Sequence, residues 1–205
     1  MPADTHSPEA FVREQLEDSC RVKHNFSTEL IARIATLAEH IAQVLAAGGK
    51  LILFGNGGSA ADAQHIAAEF VVRLREHRPA LAAVALTVNT SVLTAAGNDF
   101  GFEQVFARQV EALARPGDVL LALSTSGTSA NVLLGAEAGR QKGAWVGALT
   151  GESGGALRNR SDLLINVPSQ DSQRIQEAHI TIGHIVCALV ERHPQLRGAL
   201  PRNPE

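Results

Sequence analysis

The apolar positions of this chain keep two different rhythms. From about Ser7 to Ala47 they recur at helical spacing, with Leu30, Ile31, Ile34, Leu37, Ala38, Ile41, Val44 and Leu45 on one stripe. That pattern predicts helix across the region, broken once near His24-Asn25. Gly48-Gly49 ends it, and Lys50 opens a second rhythm in which short continuous apolar runs alternate with helical segments. Strands are predicted at 51–55, 82–86, 118–123, 144–149 and 163–167, and helices at 59–74, 90–96, 102–114, 129–142, 153–160 and 172–192. Runs such as Val119-Leu-Leu-Ala-Leu123 lack polar alternation, as expected of strands covered on both faces. Right-handed crossovers then give an α/β fold, a five-stranded parallel sheet between two layers of helices. With no repeat, low-complexity tract or linker, one domain over 1–205 is expected: a helical oligomerisation region (1–48), an α/β core (49–193) and a flexible tail (194–205). The N-terminal helices have no strand of their own and are expected to pack on another subunit, with a helix layered on its own domain as the alternative.

Composition narrows the picture only a little. Hydrophobic residues make up 45%, charged residues 19%, and the net charge is −3, so nothing pulls the whole chain toward nucleic acid. No apolar run reaches the ~20 residues that span a membrane, and the opening Met1-Pro-Ala-Asp-Thr-His has no basic or apolar leader pattern. Cys20 and Cys187 stand far apart, which suggests neither a disulfide framework nor a thiolate zinc site. A cytoplasmic protein without a membrane or nucleic-acid partner is the expectation.

Two turns carry the candidate chemistry. Leu51-Ile-Leu-Phe-Gly-Asn-Gly-Gly-Ser59 and Val119-Leu-Leu-Ala-Leu-Ser-Thr-Ser-Gly-Thr-Ser129 both run from buried strand through a glycine- or hydroxyl-rich turn into helix. Helix N-termini offer unpaired N–H donors and partial positive charge, so two such turns point to a phosphate ester with a polar body, a sugar phosphate. Gly55-Asn-Gly57-Gly58-Ser-Ala60 also fits a relaxed dinucleotide fingerprint, but the second strand ends in Leu86-Thr-Val-Asn89 with no carboxylate for a ribose. No Lys-Ser/Thr pair follows the glycines either. Ser124-Thr-Ser-Gly-Thr-Ser129 places five hydroxyls in six residues, each able to donate to a phosphate oxygen.

A third constellation is titratable. His65 and Glu69 share a helix face at i, i+4, while the last helix carries Gln176, His179 and His184, with Gln176 and His184 eight apart and so on one face. Two His, a Glu and a Gln are donors that Zn²⁺ accepts. Glu69 and His184 are equally the right types to move protons between C1 and C2 of a sugar. The same spacing also fits a solvated surface pair, and His179 competes as a ligand.

Four motifs in order, Gly55 to Glu69, Gly97-Asn-Asp-Phe-Gly-Phe102, Ser124-Thr-Ser-Gly-Thr-Ser-Ala-Asn-Val132 and Arg174-Ile-Gln-Glu-Ala-His-Ile180, resemble the phosphoheptose isomerase family, built on the sugar isomerase (SIS) domain. The likeness covers nearly the whole chain. It implies an SIS-type three-layer αβα sandwich and a homotetramer with sites between subunits. The implied reaction converts D-sedoheptulose 7-phosphate into D-glycero-D-manno-heptose 7-phosphate, for bacterial heptose and surface polysaccharide. By the resemblance, Ser124, Thr125, Ser126 and Ser129 hold the phosphate. Asn56, Gly57, Gly58, Ser59, Asn98, Asp99 and Gln176 line the sugar, with Arg73 steadying a carboxylate or the substrate. Glu69 and His184 are the implied acid–base pair, and His65, Glu69, Gln176 and His184 the ligands of one Zn²⁺ per subunit. Two departures stand out: Gln173 where the family often carries Asp, and Ala68 where it often carries a second acid. A sister group of SIS proteins binds the replication initiator and has lost the acid–base side chains that Glu69 and His184 retain here, so a tetrameric binding protein is the alternative.

Overall fold

The computed structural model describes residues 7–197. Helices α1 (Pro8–His24) and α2 (Thr28–Ala46) begin alike: Ser7 and Ser27 each accept, on their side-chain oxygen, the N–H three residues on, from Ala10 and Leu30. Each cap satisfies one of the free donors at a helix start. The break between them falls at Asn25–Ser27, where the sequence predicts it.

Five strands follow, β1 (Leu51–Gly55), β2 (Ala83–Ala85), β3 (Val119–Ser124), β4 (Trp145–Thr150) and β5 (Leu163–Asn166). Between and after them lie α3 (Gly58–Val71), α4 (Thr90–Phe100), α5 (Ala107–Leu113), α6 (Ala130–Gln141) and α7 (Ser172–Glu191). The sheet is parallel throughout in the order β2-β1-β3-β4-β5. Its central strands β1 and β3 are buried along their whole length, so their unbroken apolar sequence matches their two covered faces. One face packs against α2, α3 and α7, the other against α5, α6 and part of α4. The α/β sandwich expected from the sequence is therefore present. Because β1 and β3 are neighbours while the chain visits β2 between them, the strand order reverses there. Open parallel sheets bind ligands beyond the carboxyl ends of their strands at such a point.

Four local expectations change. Helix α3 stops at Val71 rather than 74, because competitors take the bonds a further turn would need: the Glu191 carboxylate accepts the N–H groups of Leu74, Arg75 and Glu76, and Arg78 donates to the carbonyls of Glu69 and Phe70. The predicted helix 102–114 divides into a 3-10 turn (Phe102–Gln104) and α5, joined through the buried Val105 and Phe106. The predicted helix 153–160 is a 3-10 turn over Gly155–Asn159, since Gly154 and Gly155 both take left-handed φ values that no α-helix includes. Finally, α2 lies on its own sheet, burying Leu30, Ile34, Leu37, Ala38, Ile41, Ala42 and Leu45. That corrects the expectation of packing on another subunit for α2 and leaves it for α1, none of whose residues is buried. Of the expected tail, residues 194–197 carry Leu196 into the core beside α2 and α7, and 198–205 lie outside the described residues.

Candidate functional site at the switch point

The first turn is built by backbone geometry. After Gly55 the chain passes through Asn56 to Gly57, whose φ of 55° and ψ of −122° suit a residue without a side chain, and α3 starts at once. A Cβ on Gly58 would lie 2.7 Å from the carboxamide of Gln176, so that glycine lets α7 lay an amide directly over the start of α3. Ser59 is buried just inside the helix.

The second turn is built by side chains. Ser124, buried at the end of β3, accepts the Gly127 N–H at 3.1 Å and lies 3.4 Å from the Ser129 hydroxyl. Ser126 accepts both the N–H and the hydroxyl of Thr128, at 3.2 and 3.0 Å. As an acceptor from Thr128, Ser126 keeps its own hydroxyl hydrogen for a ligand. Ser129 starts α6 without a side-chain capping bond. Thr125, Ser126 and Thr128 face a cleft of about 790 Å³ whose other wall is Gly151, Glu152, Ser169 and the start of α7. The two turns are tied together by Asn56 and Asn131, whose carboxamides exchange two hydrogen bonds of 2.8 Å each. Asn131 is 3% exposed, and sequence reasoning missed it as a strut; its place two residues after the hydroxyl run was the available signal.

Below the turns, α3 and α7 run side by side in the same direction. Gly183 makes this possible, because a Cβ there would come within 2.6 Å of Ile66 Cδ1. The close approach brings their neighbours together: His184 Nε2 lies 3.2 Å from His65 Nε2, and His65 Nε2 lies 3.1 Å from Glu69 Oε1. The ligand atoms of His65, Glu69 and His184 all fall within 4.8 Å of one another. Asp62, on the same helix, is half-buried; burial pushes its carboxyl above the usual range, His65 opposes this, and Asp62 Oδ2 has no partner among the described residues. Sequence reasoning passed over Asp62, although its i, i+3 spacing from His65 was readable.

Residues 16–151 match a family model described as SIS domain. A phosphoheptose isomerase from Roseiflexus sp. (strain RS-1) is 50% identical over 191 residues, 93% of this chain and 96% of that protein. The structure of a phosphoheptose isomerase from Neisseria gonorrhoeae is 43% identical with a TM-score of 0.84, covering 90% of this chain and 99% of that one. One from Francisella tularensis is 37% identical with a TM-score of 0.88, covering 91% and 100%. The chain belongs to the phosphoheptose isomerase family of SIS-domain proteins.

In this family member the expected site residues fall into three groups. His65, Glu69 and His184 converge, and Asn56, Gly57, Gly58, Ser59, Ser124, Thr125, Ser126 and Ser129 sit on the two turns at the switch point. Gln176 rests against Gly58, two turns along α3 from His65, so its carboxamide belongs with the turns. Arg73, Asn98 and Asp99 do not join them in the described chain. Arg73 lies past the end of α3, exposed, and Asn98 at the end of α4 donates only to Asp99, at 2.7 Å. His179 is no competitor as a ligand. It is fully buried, its Nε2 lies 3.2 Å from the Thr150 carbonyl, and burial holds its imidazole down to about 4, so it serves as a neutral pin between α7 and the end of β4. The two departures are both exposed: Ala68 on α3 and Gln173 on the first turn of α7, where the Gln173 N–H donates to the Asp171 cap.

Proposed function

We propose that this protein is a sugar-phosphate isomerase interconverting D-sedoheptulose 7-phosphate and D-glycero-D-manno-heptose 7-phosphate. The observation that carries the reading is a His–Glu–His cluster between α3 and α7, below the two strand-to-helix turns at the switch point. A phosphate held by one end of a chain substrate leaves the other end free to reach proton-transfer groups, and the close relatives carry the isomerase name. Nothing in the comparisons supports the replication-initiator alternative.

The cluster fits a zinc ion. Tetrahedral Zn²⁺ with bonds of about 2.0–2.1 Å sets its ligands roughly 3.3 Å apart. The two contacts here are 3.1 and 3.2 Å, and they bring two imidazole nitrogens and a carboxylate oxygen together. His65, Glu69 and His184 would hold the ion, and Gln176, which rests on Gly58, is the fourth ligand that the family resemblance implies. When bound, zinc would polarise the C2 carbonyl and acidify the C1 hydrogen.

The chain's own residues do the rest. Ser124, Thr125, Ser126 and Ser129 bind the 7-phosphate, and Asn56, Gly57, Gly58 and Ser59 orient the hydroxyls between the ends. Glu69 has one oxygen toward His65 and no partner on the other among the described residues, so Oε1 serves the cluster while Oε2 takes the C1 proton, exchanges it with solvent and delivers a proton to C2. A cis-enediol lies between these two steps, and His184 passes the balancing proton between O1 and O2. Each such group contributes about 10²–10⁴ in rate.

The cluster is open to solvent on one side, and exposed apolar residues flank it on both helices: Val71 and Val72 at the end of α3, Ile185 and Leu189 on α7. Phe11, Val12 and Leu16 add an apolar face on α1. Patches of this kind mark association surfaces. They support a homotetramer with sites between subunits, in which Arg73, Asn98 and Asp99 complete a neighbour's site. Among the described residues no helix is long and apolar enough to cross a membrane, in keeping with a biosynthetic enzyme of the cytoplasm.

The test is turnover of sedoheptulose 7-phosphate in D₂O by wild type and His184→Ala, with and without chelator. Heptose 7-phosphate from wild type alone, carrying solvent deuterium at C2 and lost on chelation, is the expected result. Absence of product with zinc supplied returns the protein to the binding-protein reading.

A further inference from the structure

Glu69 and His184 sit on different helices, so their chemistry depends on how α3 and α7 are spaced. Above the cluster the spacing is set by contact: Gln176 lies on Gly58 and Gly183 on Ile66. Below it the contact is ionic. Arg78 Nε lies 3.2 Å from Glu191 Oε1, and the two side chains are 2% and 1% exposed. Arg78 comes from the loop after α3, and Glu191 is the last residue of α7.

Each member of this pair holds backbone on the α3 side. Arg78 Nη2 donates to the carbonyl of Glu69 itself at 2.7 Å, and Nη1 donates to those of Phe70 at 2.8 Å and Pro79 at 3.0 Å. Glu191 accepts the N–H groups of Leu74, Arg75 and Glu76 at 2.8, 3.1 and 3.2 Å. Those three amides and the Arg78 guanidinium outweigh burial and keep the Glu191 carboxyl below the usual carboxylate range. Cys187, one turn before Glu191, is the other titratable group of this layer. Burial first, then the nearby carboxylates of Glu69 and Glu191, push its thiol up to about 12, so it stays neutral and leaves the pair as the local charges.

A buried ion pair is a weak device for stability, because desolvation offsets most of its attraction and apolar residues of equal volume serve as well. Its use is geometric. We infer that Arg78 and Glu191 form a positioning pair that fixes the Glu69 backbone and sets the distance from α3 to the His184 face of α7. The inference rests on the isomerase and zinc reading for its consequence, while the pair's contacts stand without it.

The experiment compares three full-length variants with wild type: Glu191→Gln, Arg78→Lys and the double apolar variant Arg78→Met with Glu191→Leu. Thermal midpoint, zinc affinity by competition with a chelating dye, and kcat and KM for sedoheptulose 7-phosphate are read on each. The double variant leaves no buried lone charge, but it takes the partners from three amides and three carbonyls, so its thermal midpoint is expected to fall. The expected result is zinc affinity and kcat each down about tenfold or more in every variant that remains folded, the loss typical when a supporting residue of a metal ligand is removed. Arg78→Lys keeps the charge but not the fork, and is expected to recover only part of both. KM stays within a few-fold, since the phosphate turns are untouched. The inference is overturned if the folded double variant binds zinc and turns over like wild type; where it fails to fold, Arg78→Lys and Glu191→Gln decide by the same split. A wild type that binds zinc but leaves sedoheptulose 7-phosphate unchanged sinks the isomerase reading alone, and zinc affinity still judges the pair.

Discussion

The triad between α3 and α7 and the hydroxyl turn after β3 are built on opposite plans. In the triad, three long side chains from two helices reach a common point, and their placement depends on residues that carry no chemistry: Gly183, Ile66, Arg78 and Glu191. In the turn, short hydroxyls from one continuous segment are fixed by the loop they belong to, Ser124 by the Gly127 amide and Ser126 by Thr128. Long-range geometry suits groups that must act together on one bond. A local loop suits an anion that must only be held. If this division is real, damage to the triad falls on kcat and damage to the turn falls on KM.

The sharpest break is Glu69→Gln. The amide keeps the volume and a carbonyl oxygen but cannot take a proton, so kcat is expected to fall by about 10²–10⁴. The thermal midpoint and KM should hardly move. Near-normal turnover by a folded Glu69→Gln would remove Glu69 from the proton path.

A second effect joins the two regions. His179 pins α7, which carries Gln176 and His184, to Thr150 at the end of β4, next to the wall of the phosphate cleft. Burial holds its pKa down to about 4, below the ordinary 6.5, so the unfolded chain binds a proton that the folded one refuses. Its share of stability is therefore complete above pH 6.5 and is lost as pH falls through the window from 6.5 to 4. The linkage amounts to roughly 3 kcal/mol at the acid end. Urea midpoints between pH 7 and 4 should fall more steeply for wild type than for His179→Gln, which has no imidazole to charge. Equal slopes would assign the acid sensitivity to the carboxylates.

What the sequence made legible follows the same divide. Period and turn chemistry located all five strands, and local motifs located both strand-to-helix turns, because such features are written in consecutive residues. The i, i+4 pair His65–Glu69 was readable for the same reason. The partnership with His184 was grouped by donor type and strengthened by family likeness, since 119 residues separate it from His65 and no local rule links them. The end of α3 was misplaced by three residues because Glu191, far along the chain, captures the amides that would have extended it. Arg73 followed from that helix and so was expected one turn beyond Glu69, where no helix exists. Asn131 and Gly183 were unread because their role is contact with another element, which spacing does not encode.

Gly183→Ala tests the spacing without touching a reacting group. The added methyl would meet Ile66 Cδ1 at 2.6 Å, so α7 must shift or Ile66 must turn. Overpacking of this kind costs about 1–3 kcal/mol. Zinc affinity and kcat should fall with stability, and the second change Ile66→Val should restore all three. If it restores stability alone, the helix spacing is not what places His184.

The smallest effect belongs to the turn, and it is the most discriminating. Ser126 accepts from the Thr128 amide and hydroxyl, which leaves its own hydrogen as the only one it can give a ligand. A hydrogen bond to a charged group contributes about 1.5–3 kcal/mol, and the low end applies at this exposed position. Ser126→Ala should then raise KM for sedoheptulose 7-phosphate about tenfold, near 1.4 kcal/mol, with kcat little changed. Sedoheptulose without its phosphate provides the control. Its turnover is expected to be slow and the same in both proteins, because the missing donor has no anion to meet. A loss shared by the two substrates would mean that Ser126 shapes the loop and that the phosphate sits elsewhere, and the separation of holding from reacting would then fail at its simpler end.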